Sequence, residues 1–289
     1  MKKLAFVALA MFAIVFALGC GGKTEAGTPG SSSGAGYTLT VMPTEIIEGG
    51  TATIDLRLEN IFQENMDNVK VKFKDVGSIY TGTQGTTTVG TIMPGQTYPV
   101  ILSLDGNDEG TLSGKNIQVC FDYDTEYYFD VGLKSNDKAT EQLSVESGAS
   151  SGPMSVSVTG LENVFFNNQK GTGALTLSNT WIGKILKITT ISADFPIGTY
   201  ITNGTLGIST CSDSALSSTD KKATLSSTDI TNCKILTNDV AIGNGLTLKA
   251  EVGTSIQTST TMVERVLGNV VYNYCYDIPL PTITIKSVS

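Results

Sequence analysis

Four carboxylates, Asp122, Asp124, Glu126 and Asp130, are interleaved with Tyr123, Tyr127, Tyr128 and Phe129 in one short stretch. A pair of acids held on either side of a glycosidic bond is the machinery of glycoside hydrolysis. The same mixture of acids and aromatics could also suit glycan binding. Period-2 alternation accounts for it more simply, because Phe121 and Tyr123 then close one strand, Asp124-Thr125 turns, and Tyr127, Phe129 and Val131 open the returning strand. On that account the acids are a solvated face beside core aromatics.

A second constellation is Asp105-Gly106-Asn107-Asp108-Glu109-Gly110, which sets oxygen side chains at alternate positions and glycine at the sixth, as a calcium loop does. Asp105, Asn107 and Glu109 are the calcium candidates. The twelfth position is Asn116 where such a loop needs a bidentate glutamate, and strands flank it where helices are required, so the expectation is a plain hairpin turn, no metal and no cofactor.

The chain contains no histidine. That removes Ser-His-Asp and Cys-His nucleophile systems and imidazole zinc sites, the commonest routes to hydrolysis at neutral pH. There is no phosphate-cradling glycine motif, no CxxC pair and no basic aromatic stripe, and Arg57 and Arg265 are the only arginines. The reading is non-catalytic.

Of the five cysteines, Cys20 stands apart near the N-terminus. Cys211 and Cys233 fall in one Ser/Thr-rich segment, and a bridge between them would close about 22 residues and contribute about 3 kcal/mol in the chain-entropy model. That pair is expected to be bonded. Cys120 and Cys275 are either a second disulfide or free thiols, since bridging them would require the two modules to pack through the faces that carry them. Asn203-Gly204-Thr205 is an N-glycosylation sequon, so Asn203 is a candidate glycosylation site.

These residues are carried on strands. Ala52, Ile54, Leu56 and Leu58 alternate with Thr53, Asp55, Arg57 and Glu59, and Val69, Val71 and Phe73 alternate with Lys70, Lys72 and Lys74. Each is the signature of a half-buried antiparallel strand. Strands are expected near 38–42, 51–59, 68–75, 86–92, 97–104, 115–123 and 126–134, with turns at Glu48-Gly49-Gly50 and Pro94-Gly95, and this count suits an immunoglobulin-like sandwich over 37–143. The polar stretch 144–152 reads as a linker, and a second sandwich as 153–289.

Two landmarks recur in the same order. Leu58-Glu59-Asn60-Ile61-Phe62 matches Leu177-Ser178-Asn179-Thr180-Trp181, and Val119-Cys120-Phe121-Asp122 matches Tyr274-Cys275-Tyr276-Asp277. Duplication explains them. The longer spacing in the second half places an insertion near 194–238, where loops carried by a rigid frame would supply specificity.

Glu48-Gly49-Gly50 before an alternating strand ending at Asn60, followed by Ile92-Met93-Pro94-Gly95 before Tyr98 to Leu104, resembles the CARDB-type and related Ig-like domains of archaeal and bacterial surface proteins. The resemblance implies an extracellular adhesion or spacer role and no particular activity.

The N-terminus says where such a domain would sit. Lys2 and Lys3 precede an apolar run, Leu4 to Leu18, that is shorter than the roughly 20 residues of a membrane span, so 1–19 reads as a signal peptide. Ala17-Leu18-Gly19-Cys20 resembles the lipobox of prokaryotic lipoproteins, which implies lipidation at Cys20. Residues 20–36, rich in Gly, Ser and Thr, read as a flexible tether. The net charge of −8 opposes nucleic acid as a partner.

The expectation is therefore an all-β protein of two tandem immunoglobulin-like antiparallel β-sandwiches behind a signal, lipobox and tether. It would be exported, held by lipid at the outer face of the cell membrane, and structural, adhesive or ligand-presenting toward a protein or glycan partner at the cell surface. The alternatives are a carbohydrate-binding module or a subunit of a surface filament.

Overall fold

The computed structural model describes residues 30–34, 36–74, 80–82, 85–134, 143–160, 164–165, 171–194, 199–206, 222–226, 246–254 and 261–287. The first half carries β1 (Gly30–Gly34), β2 (Tyr37–Met42), β3 (Glu45–Ile47), β4 (Thr51–Glu59), β5 (Met66–Lys74), β6 (Tyr80–Gly82), β7 (Thr87–Ile92), β8 (Thr97–Gly106), β9 (Gly110–Leu112) and β10 (Asn116–Lys134). The second carries β11 (Ser147–Ala149), β12 (Met154–Thr159), β13 (Val164–Phe165), β14 (Gly171–Asn179), β15 (Lys184–Asp194), β16 (Thr199–Leu206), β17 (Lys222–Ser226), β18 (Leu246–Thr254), β19 (Met262–Pro279) and β20 (Ile283–Lys286). The protein is all-β, with its sheets stacked as sandwiches.

Alternation drives burial as read from the sequence. Ala52, Ile54, Leu56 and Leu58 are fully buried while their neighbours on β4 are not, and the pattern repeats on β5 and on the first part of β10. Strand order then repeats between the halves. Within the five-stranded sheet β1-β2-β4-β8-β6, the run β2-β4-β8-β6 is matched by the four-stranded sheet β12-β14-β18-β16, and both follow the order of the four-stranded sheet of immunoglobulin sandwiches. In each half the strand after β5 or β15 crosses to that sheet, and the next returns to the opposite one, β7 beside β5 and β17 beside β15.

The expected turn at Asp124-Thr125 does not form. Instead β10 runs straight through it and pairs with β19 without a break from Asn116↔Pro279 to Leu133↔Met262. The local reasons are legible afterwards. Asp124-Thr125 lacks the Gly or Asn that a tight hairpin requires. Thr125 is fully buried, with its hydroxyl 3.1 Å from that of Tyr272.

A single sheet therefore runs β17-β15-β19-β10-β5-β7 through both halves. The end of β19 lies beside β10 where the first sandwich needs its last strand. Reciprocally, the end of β10 lies beside β19 and completes the second. The short strands support the exchange, since β3 pairs in parallel with β20 and β13 pairs in parallel with β10. Each sandwich is closed by a strand from the other half of the chain. Residues 144–152, expected to be a linker, form no spatial break: β11 pairs with β10, and the Asp130 amide donates to the Glu146 carbonyl. Likewise the tether expected over 20–36 ends early, because β1 lies along β2 through main-chain pairing that needs no apolar side chain. Residues 1–29, including the signal, the lipobox and Cys20, lie outside the described residues.

One core spans both halves, with Phe121, Tyr123, Tyr272 and Tyr274 buried at the centre of the shared sheet. Gly268 is closely packed there. It faces Tyr127 across the strands, and a Cβ at this position would run into the Tyr127 ring and, at 2.5 Å, the Ser192 carbonyl to which the Tyr127 hydroxyl donates. Gly268→Ala is expected to cost about 1–3 kcal/mol by overpacking. Urea unfolding checks this, and an unchanged midpoint would contradict it.

Candidate functional site

The residues singled out for chemistry converge on the outer face of the shared sheet. Strand alternation turns Phe121, Tyr123, Tyr127 and Phe129 inward and leaves Gln118, Cys120, Asp122, Asp124, Glu126, Tyr128 and Asp130 on the opposite side. Phe121, Tyr123, Tyr127 and Phe129 are thus part of the core, and Tyr128 alone among the aromatics of this stretch stands on the outer face. Burial pushes the Tyr123 and Tyr274 hydroxyls up to about 12, so both stay protonated and donate, to the Ser151 carbonyl at 2.7 Å and to Asn179 Oδ1 at 3.2 Å.

The acids are tied down one by one. Asp122 accepts from Asn68 Nδ2 at 2.8 Å and Asn273 Nδ2 at 3.0 Å, and Asp277 accepts from Lys74 at 2.8 Å and from Gln118 at 3.2 Å. Asp130, only 8 % exposed, takes a bidentate clasp from Arg265 through Nε at 2.8 Å and a second nitrogen at 3.2 Å. That guanidinium also lies 4.4 Å over the Tyr128 ring. The hydrogen bonds from Arg265 hold the Asp130 carboxyl below the usual carboxylate range, against the opposing effect of burial. Its stabilising contribution is present above the unfolded carboxylate range and is lost as pH falls through the lowered folded value.

Asp124 behaves oppositely. Its Oδ2 accepts from Asn269 Nδ2 at 3.0 Å, but Oδ1 is buried with no hydrogen-bond partner. Desolvation raises its pKa, the Asn269 contact opposing. A raised carboxyl stabilises fully below its unfolded value, and that contribution is lost as pH rises through the folded one. Asp124→Asn is therefore expected to stabilise the fold near neutral pH, by on the order of 1 kcal/mol for an unsatisfied buried oxygen, and the gain should vanish in acid. Unfolding midpoints at both pH values check this; a variant less stable at neutral pH would refute it.

Cys120 and Cys275 form a disulfide, which corrects the view that bridging them requires face-to-face modules. They are directly opposed neighbours in one sheet, and Lys70 and Lys184 continue that row on either side. Cys211 and Cys233, expected to be bonded, lie outside the described residues. Of the segment 194–238, the described parts β16 and β17 are strands of the two sheets of the second sandwich. Asn203 falls on β16 beside a register shift.

The repeated motif has a common geometry. Asn60 Nδ2 donates to the Glu64 carbonyl and its Oδ1 accepts from the Phe62 amide; Asn179 does the same with the Gly183 carbonyl and the Trp181 amide. The Glu64 amide then donates to the Tyr123 hydroxyl and the Gly183 amide to that of Tyr274. Tyr123 is thus the counterpart of Tyr274, and the paired cysteine landmarks are opposed across the strands instead of occupying equivalent places.

Asp105 to Gly110 is not a hairpin. It connects β8, which pairs with β4, to β9, which pairs with β20 in a separate three-stranded sheet, β3-β20-β9. Asp105 Oδ1 accepts from Thr51 at 2.6 Å, and among the described residues no three acidic, cysteine or histidine side chains gather around a point with Asn107 or Glu109 to hold a metal ion. The chain matches no protein-family model, and no curated protein matches it.

Proposed function

We propose that this chain is a non-catalytic display protein, exported and held by a lipid on Cys20 at the outer face of the cell membrane, where its sandwiches present loops and faces to a partner. The observation that carries this reading is the Cys120–Cys275 disulfide across the shared sheet. Disulfides persist in oxidising, exported compartments, and a covalent tie between interleaved sandwiches suits a rigid spacer. The CARDB-type resemblance of the first half points the same way. Adhesion to a protein or glycan would then use loops, since Phe121, Tyr123, Tyr127 and Phe129 are committed to the core and the Tyr128 ring is covered by Arg265.

Cys20→Ser tests the anchor. The variant is expected to leave the membrane fraction and appear in the medium or the envelope's soluble fraction; continued membrane attachment would show that the lipid is not what holds it. Protease accessibility on intact cells separately tests exposure at the surface.

A further inference from the structure

The outer face of the shared sheet is divided by charge along its strands. At the level of the disulfide it carries five lysines, Lys70, Lys72 and Lys74 on β5 and Lys184 and Lys187 on β15, against Asp277 and Asp122, and among the described residues only Lys74 of these lysines forms an ion pair, with Asp277. Beyond Asp122 the same face turns acidic, with Asp124, Glu126 and Asp130 on β10, Glu146 beside it and Asp194 at the end of β15, against one cation, Arg265 on β19, which pairs with Asp130 and Glu146. Three large apolar side chains stand on the same four strands, Leu267 (59 % exposed) and Val263 (42 % exposed) in the acidic half and Leu186 (40 % exposed) in the basic half. A sheet face with opposite charge at its two ends and apolar side chains between is complementary to itself turned end for end.

We propose that this face docks a second copy of the chain, face to face, about a two-fold axis lying across the strands at the level of Asp124. That operation carries each position on a strand to the mirror position beyond Asp124. Lys72, level with Gln118, comes opposite Glu146 of the second copy, which is level with Asp130 and within its own chain accepts from Arg265 at 3.3 Å, so the carboxylate would be shared between the two cations. Lys184, level with Cys120, comes opposite Asp194, level with Tyr128. Leu267 of one copy then falls on the disulfide row near Leu186 of the other. The interface is isologous, as two-fold contacts are. Four strands at about 4.8 Å and about twelve residues at about 3.4 Å make a face of roughly 800 Å², one partner's share of a standard interface. Rim charges at this spacing are screened by salt, so the dimer is salt-sensitive, and tethering to one membrane would raise its effective concentration.

The inference does not depend on the lipid anchor. It is tested by sedimentation velocity on the chain carrying Cys20→Ser, with retention of the Cys120–Cys275 disulfide and far-UV circular dichroism as the check on folding. The expected result is a dimer at low salt that dissociates in about 0.5 M salt. Lys72→Glu with Lys184→Glu, and separately Glu146→Lys with Asp194→Lys, should each weaken self-association at least tenfold. An equimolar mixture of the two variants should restore it, because each reversed face then meets its complement. A wild-type chain that stays monomeric at low salt, variants that dimerise as well as wild type, or a mixture that fails to associate would each overturn the proposal.

Discussion

Replacing Cys120 and Cys275 together by alanine should lower the stability of the whole protein by on the order of 5 kcal/mol, the chain-entropy value for a bridge between residues 155 apart in sequence. The magnitude follows from where the bridge lies. It joins β10 to β19, and these two strands close both sandwiches, so without it the unfolded chain regains the freedom of more than half its length. Guanidinium unfolding of the double variant, set beside wild type with and without dithiothreitol, measures this directly. The reduced wild type should approach the variant. An unfolding midpoint that moves by less than the experimental error would show that the exchanged strands hold without the bridge.

The second large effect is expected at Phe62. Its ring meets Trp181 edge-on at 4.9 Å and Tyr123 at 5.4 Å, and Trp181 in turn meets Tyr276 at 4.7 Å. The motif aromatics of the two halves thus touch each other, the buried Phe62 against the partly buried Trp181. Phe62→Ala should cost about 3–5 kcal/mol, the usual range for emptying a buried aromatic site. A double-mutant cycle with Trp181→Ala should give a coupling of about 0.5–1.5 kcal/mol, beyond area burial alone. Trp181 is the only tryptophan. Its fluorescence and the far-UV circular dichroism should therefore report one coincident transition. Two separated transitions would show that the sandwiches unfold independently and that the shared sheet does not couple them.

Much of this was legible in the residues. The alternation on β4 and β5 sets which side chains enter the core, because successive side chains on a strand point to opposite faces. The Leu-x-Asn-x-aromatic motif marked a true structural repeat, since an asparagine that bonds its own turn has short-range reasons for its position. Elsewhere local pattern was not enough. Asp124-Thr125 reads as a turn only if the next strand is assumed to pair with the one before it. The tether and linker read as free because Gly, Ser and Thr bury little, yet β1 and β11 are held through their main chains.

The sequence by itself determined the all-β class, the alternating core faces, the repeated motif and the outward placement of the acids, all of which depend on near neighbours. Only the tertiary structure decided that β10 and β19 exchange places. Strand pairing is set by which distant segments meet, and nothing in a period-2 pattern names the partner. With that exchange came the disulfide between Cys120 and Cys275, the single core around Phe62 and Trp181, and the bringing of lysines from β5 and β15 onto one face with the acids of β10.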